Sequence, residues 1–209
     1  MSDVWPMVHA ERRALIDFLS TVDESRWDTP SLCPGWSVRD VTAHQISTAK
    51  TTRLGFVRGM ITARFDFDRD NLNGVERERG TAAQMLAAFR AVADATATPP
   101  APLDTRLVEA IVHGEDIRRP LGAIGDYPLW AVIRALRLQA RTSTAMGGAK
   151  QHLTGLRLVA DDSDLVFGDG AEVAGHTLAL LLAVSGRTIA LAELTGSGLA
   201  ELSSRVGRQ

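Results

Sequence analysis

The sequence predicts a mainly α protein: a helical bundle followed by a small α+β domain. Two observations carry this. Up to about residue 145, apolar residues recur at helical spacing in segments opened by capping residues and closed by proline or glycine. After Gly147-Gly148 the texture changes to short β-like runs separated by Asp and Gly turn residues. The expected organisation is therefore a bundle over residues 1–149 and a C-terminal domain over 150–209.

Residues 4–22 set Val8, Leu15, Phe18, Leu19 and Val22 against Glu11, Arg12, Arg13 and Asp17, the pattern of an amphipathic helix. Asp23 is placed to cap a short turn ending at Trp27. Residues 28–36, with Pro30, Pro34 and Gly35, read as an ordered loop. Ser37 followed by Asp40 resembles a capping box, with Asp in place of the usual Glu or Gln. The second helix starts there and carries His44, Ile46, Leu54 and Val57 to about Met60.

Residues 62–80 are polar and charged and are expected to connect, with a short helix at most. Thr81 and Gln84 form another capping box, opening a helix through Met85, Leu86, Phe89 and Val92 that the prolines of 98–102 end. A helix from about Thr105 to Arg119 is stopped by Pro120 and Gly122. Asp126 is expected to cap a last long helix, with Pro128 just inside it, over Leu129 to Ala145. Residues 156–160 and 165–167 are the two expected strands, followed by a helix over Thr177 to Ser185 and a glycine-punctuated tail.

Composition excludes several classes. The net charge of −2, without a Lys/Arg run, gives no footprint for nucleic acid or an anionic membrane. Cys33 is the only cysteine, so no intramolecular disulfide forms and a reducing cytoplasm is the expected setting. The N-terminal residues lack the basic and apolar regions of a signal peptide, and the longest apolar run, 177–184, is too short to span a bilayer. No Gly-x-Gly-x-x-Gly fingerprint or P-loop points to nucleotide chemistry.

The chemistry concentrates in residues 107–122. Glu109 and His113 stand four apart, so both side chains share one face of a helix whose other positions (Leu107, Val108, Ile111, Val112, Ile117) are apolar. A carboxylate and an imidazole in such surroundings are costly unless something satisfies them. With His44 from the second helix they would make a three-ligand metal site with an open position, the arrangement a catalytic ion needs. Spacing alone leaves a second account equally admissible: two buried, hydrogen-bonded histidines and a helix-surface glutamate.

Asp116 shares the same face. It is placed either to orient a ligand imidazole or to pair with Arg39 or Arg119. Arg118 and Arg119 are candidates for holding the carboxylate of a substrate or cosubstrate by bidentate hydrogen bonds, although arginines near a helix C-terminus also simply favour its dipole. Cys33 has no adjacent base and reads as structural. Trp36 reads as a staple for the second helix. Ser47, Thr48 and Thr51 read as packing hydroxyls, and His9, His152 and His176 as ordinary residues.

Three stretches together resemble the mycothiol-dependent maleylpyruvate isomerase family, part of the DinB-like metal-binding bundles. They are Pro30 to His44 (PSLCPGWSVRDVTAH), His113 to Gly122 (HGEDIRRPLG), and the pair GDGAEVAG from Gly168 and LLLAVSGR from Leu180. The resemblance implies a DinB-like four-helix bundle followed by a small α+β C-terminal domain. It also implies a divalent metal, usually zinc, on His44, Glu109 and His113, with mycothiol as thiol cosubstrate. The activity implied is that of an isomerase or S-transferase acting on a small electrophile. A metal-dependent hydrolase and a non-catalytic metal- or small-molecule-binding protein are the alternatives, and two His with one carboxylate also suit iron, nickel or manganese. Substrate, oligomeric state and any directly catalytic residue are not specified by the sequence.

Overall fold

The structure, a computed structural model, describes residues 3–207. By internal contacts the chain divides into two units, one ending at Asp126 and one beginning at Tyr127.

The first unit is built on four helices: α1 (Trp5–Ser20), α2 (Val38–Lys50), α5 (Ala82–Val92) and α6 (Thr105–Arg118). Both α1 and α2 pack on α5 and α6, which closes the bundle. Its core gathers Leu15, Leu19, Trp27, Val41, Ile46, Met85, Phe89 and Ile117, all buried. The two expected capping boxes form. Ser37 and Asp40 satisfy each other's backbone N–H at the start of α2, and Thr81 and Gln84 do so at the start of α5. At the far end of α5, Arg12 of α1 donates through Nη1 to the carbonyls of Val92, Ala93 and Ala95 at 2.7–3.4 Å, tying α1 to the point where that helix ends.

Between α2 and α5 the chain forms two further helices, where one continued helix and a connection with a short helix at most were expected. The expected second helix breaks at Thr51, whose backbone is extended, and α3 (Arg53–Thr62) begins afresh because the Thr52 hydroxyl accepts from Gly55 N. The polar stretch after it contains a three-turn helix, α4 (Phe67–Glu78), capped by Asp66. Polarity hid α4, because only Gly74 and Val75 of it are buried. Gly74 is where α4 meets α2: a Cβ there would lie 2.6 Å from Ser47 Oγ. Ser47 therefore faces α4, and the Thr48 and Thr51 hydroxyls donate to the backbone carbonyls of Gln45 and Ser47, as packing hydroxyls do.

The second unit holds α7 (Leu129–Arg141), β1 (Leu156–Ala160), β2 (Val166–Gly168), β3 (Ala171–Gly175), α8 (Thr177–Val184) and α9 (Leu199–Val206). The sheet order is β2-β1-β3, with β2 antiparallel and β3 parallel to β1; Leu158 stands opposite Phe167 on one side and Val173 on the other. Helix α8, apolar all round, is its buried centre.

Three expectations are corrected here. The bundle was expected to reach 149, but α7 groups with the second unit: it packs on α8, and Gln139 Nε2 donates to Ser185 Oγ at 3.1 Å. Periodicity identified α7 as a helix but carries no information on its partner. Asp126 does not cap α7, which begins after Pro128 with no side-chain cap. The third strand, β3, was not expected, because the small residues of AEVAG lack the β-branched signature. Among the described residues no helix is long and apolar enough to cross a membrane.

Candidate metal centre

The bundle brings His44 of α2 and Glu109 and His113 of α6 together. Their ligand atoms all lie within 4.8 Å of one another. His44 Nε2 is 2.9 Å and His113 Nε2 3.9 Å from the same oxygen, Glu109 Oε1. The two imidazole rings stand edge to face with centroids 5.0 Å apart.

Each of these side chains is positioned by something else. Gln45, next to His44, donates through Nε2 to the backbone carbonyl of Glu109 at 2.9 Å, tying α2 to α6 at the level of the site. Trp36, at the end of the proline-rich loop, presents its ring edgewise to His44 with centroids 5.2 Å apart. That loop is in turn fixed to α6 by Leu32 N donating to the Asp116 carbonyl at 3.3 Å. Asp116, fully buried, places Oδ2 2.8 Å from His113 Nδ1. This is the contact that the orienting role expected of it requires, and Arg39 is paired with Asp28.

A metal ion fits this donor set. A neutral His113 that donates from Nδ1 to Asp116 would present a lone pair on Nε2 toward Glu109. Glu109 Oε1 is itself buried and forms no hydrogen bond of acceptable geometry, its closeness to His44 notwithstanding. Lone pairs converging on a shared point from a carboxylate and an imidazole call for a cation between them. Burial pushes the Glu109 carboxyl up, but positive charge carried by His44, Arg106 and His113 outweighs it and holds the group well below the usual carboxylate range, and a bound cation would act in the same direction. It is therefore available as an anionic ligand.

The two arginines expected to hold a substrate or cosubstrate carboxylate each make an ion pair within the protein. Arg118 Nη1 pairs with Glu11 of α1 at 2.5 Å, both side chains being buried. Arg119 Nε pairs with Glu115 Oε2 at 2.7 Å, while the other Glu115 oxygen accepts from Gly125 N. Both arginines tie α6 to its surroundings. Cys33 is half-buried in the loop, and His176 is exposed beside Asp161 and Asp162. Asp162 is occupied in capping α8 through Thr177.

Residues not singled out in the sequence are Gln45 and Arg106, and Trp36 was assigned only a packing role. For Arg106 a signal existed: it precedes Glu109 by three and His113 by seven, so 106, 109, 113 and 116 form one stripe of α6. Its side chain is buried, with Nη2 3.7 Å from Glu109 Oε2.

The Asp116 contact gives a direct prediction. Asp116→Asn keeps the volume but weakens the acceptor that fixes the His113 tautomer, and is expected to lower metal affinity by about 10–100-fold. Titration of the metal-free variant against a chelator of known affinity measures this; an unchanged affinity would leave Asp116 a purely structural residue.

A family model described as the mycothiol maleylpyruvate isomerase N-terminal domain matches residues 8–118, the span that contains all three candidate ligands. Comparison with curated protein sequences gave no match. Among solved structures, two crystal structures of mycothiol-dependent maleylpyruvate isomerase, one of them a point mutant, resemble this chain with TM-scores of 0.64 and 0.66. Identity is 17% in both, over 92% of this chain and 91% of each of those, so the likeness is one of fold.

Proposed function

Because the chain belongs to the mycothiol maleylpyruvate isomerase N-terminal domain family, we propose that it is a divalent-metal enzyme using mycothiol as cosubstrate. In this reading it acts as an isomerase or S-transferase on a small electrophile. The observation that carries the reading is the buried Glu109 Oε1, left without a hydrogen bond between two imidazoles.

His44 Nε2, Glu109 Oε1 and His113 Nε2 would hold the ion, zinc in this proposal. When bound, it supplies a Lewis acid that keeps a thiol in its thiolate form at neutral pH. The chain's own residues do the rest. Asp116 holds the His113 proton on Nδ1, so that Nε2 remains a donor of electrons, and Trp36 limits the orientations open to the His44 ring. Three protein donors leave a position for an exogenous ligand, which distinguishes such a site from a closed structural one. The low exposure of His44, Glu109 and His113 (side chains 8%, 18% and 18%) keeps bulk water from competing there.

Addition of the thiol to a conjugated double bond, rotation and departure would give isomerisation; displacement of a leaving group would give transfer. The electrophile decides between them, and the same residues serve both. The test is turnover of maleylpyruvate by the zinc-loaded protein with and without mycothiol, extended to other small electrophiles bearing a leaving group. Consumption of an electrophile that requires the thiol is the expected result. Turnover indifferent to the thiol would overturn the proposal in favour of a hydrolase.

A further inference from the structure

Arg106 is a buried guanidinium with most of its hydrogen-bonding capacity unused. It is 5% exposed, and its Nε and Nη1 are inaccessible to solvent and have no hydrogen-bond partner. The nearest carboxylate oxygen, Glu109 Oε2, lies 3.7 Å from Nη2, beyond hydrogen-bonding range. Buried donors are nearly always satisfied, so an arginine left in this state requires an explanation. Charge sharpens the point. Arg12 is close enough to Arg106 to act on it electrostatically, and the Arg12 Nη1 is already committed to the backbone carbonyls that end α5. Two guanidinium groups thus share the neighbourhood of Glu109, a carboxylate also claimed by His44 and His113, while Asp94, the other carboxylate that acts on Arg12, is exposed. Water would fill the empty donors but would not balance the charge.

We propose that Arg106 is the anion-binding group of this site and takes the carboxylate of a small acidic ligand beside Glu109. The guanidinium fork matches a carboxylate with two parallel hydrogen bonds, a geometry that an ammonium cannot reproduce. The role expected in sequence for Arg118 or Arg119 thus falls on the arginine of α6 that shares a stripe with Glu109 and His113. The inference rests on the proposed function for its location, but the anion site is distinct from the ion's ligands.

The test uses succinate as probe on the full chain. Thermal unfolding is followed with increasing succinate, against chloride at equal ionic strength, for metal-free and zinc-loaded wild type, Arg106→Met and Arg106→Lys. Wild type is expected to gain stability with succinate in both forms. Arg106→Met is expected to lose at least about tenfold in succinate affinity, the effect of deleting a charged hydrogen-bond partner. Arg106→Lys should fall between them, because charge remains and the fork is gone.

A second readout separates binding from a structural role. An arginine held for a ligand is a liability without it, so Arg106→Met should melt higher than wild type in the absence of succinate. A lower melting temperature, or failure to fold, would make Arg106 structural and overturn the proposal. So would a succinate shift that survives in Arg106→Met. Zinc content of the same samples keeps the two readings apart: an Arg106-dependent shift in a protein that binds no zinc would retire the metal site alone.

Discussion

Glu109→Ala is expected to purify without a stoichiometric divalent ion, whereas the wild type carries one per chain. Glu109 is the only anionic donor among the three candidate ligands, and its Oε1 is the atom that both imidazoles approach. Removing it leaves His44 and His113 to face a cation with no negative charge to offset it, beside the Arg106 guanidinium. Loss of a residue that only orients a ligand costs about 10–100-fold in metal affinity, so loss of the anionic ligand itself should exceed 100-fold. Metal analysis of the variant beside wild type, with Glu109→Gln as the isosteric control, measures this. Zinc should also raise the wild-type melting temperature and leave that of Glu109→Ala unchanged, since an ion stabilises only a state that binds it. Full metal content in Glu109→Ala would remove the site from consideration.

The parts of this site that were legible in the sequence are those that depend on local rules. An i, i+4 pair fixes Glu109 and His113 to one face of α6, and the Ser37–Asp40 capping box fixes the start of α2 and hence the phase of His44. Grouping the three candidate ligands needed no knowledge of tertiary structure beyond the pairing of those two helices. Partner choice was not legible. Arg118 and Arg119 look alike in sequence, yet one pairs with Glu11, 107 residues away, and the other with Glu115, four away. Helix α7 carried a clear apolar face, but nothing in that face distinguishes α8 from the bundle as its cover. Helix α4 was expected as no more than a short helix in a connection, for the opposite reason: it buries so little that its periodicity is faint. Arg106 escaped notice because an arginine among apolar residues normally reads as a snorkelling surface group.

The second large effect is expected at the Glu11–Arg118 pair, which joins α1 to α6 inside the bundle. Breaking a buried ion pair from one side leaves an uncompensated charge, and Arg118→Ala should cost about 3–5 kcal/mol near pH 8. For a chain of this size that corresponds to a fall in Tm on the order of 10 °C. The cost should depend on pH in a defined direction. Burial pushes the Glu11 carboxyl up to about 7 from its ordinary 4.5, Arg118 opposing this through its charge and hydrogen bond and Glu115 adding to it. A carboxyl with a raised folded-state pKa binds more protons in the folded than in the unfolded chain. Its contribution to stability is therefore complete below about pH 4.5 and is lost as pH rises through 7. Arg118→Ala removes both lowering influences, so the carboxyl titrates higher still and the loss continues to higher pH. The difference between variant and wild type should consequently be smaller at pH 5, where Glu11 is neutral in both, than at pH 8, by about 1.4 kcal/mol, because pH 8 lies one unit above the wild-type Glu11 value of about 7. Urea unfolding of the two proteins at each pH reads this difference directly, because groups that titrate alike in both cancel. In Glu11→Gln the same Arg118→Ala substitution should cost nearly the same at both pH values. A pH-independent penalty in the Glu11 background would show that Arg118 stabilises the bundle through packing, not through its charge.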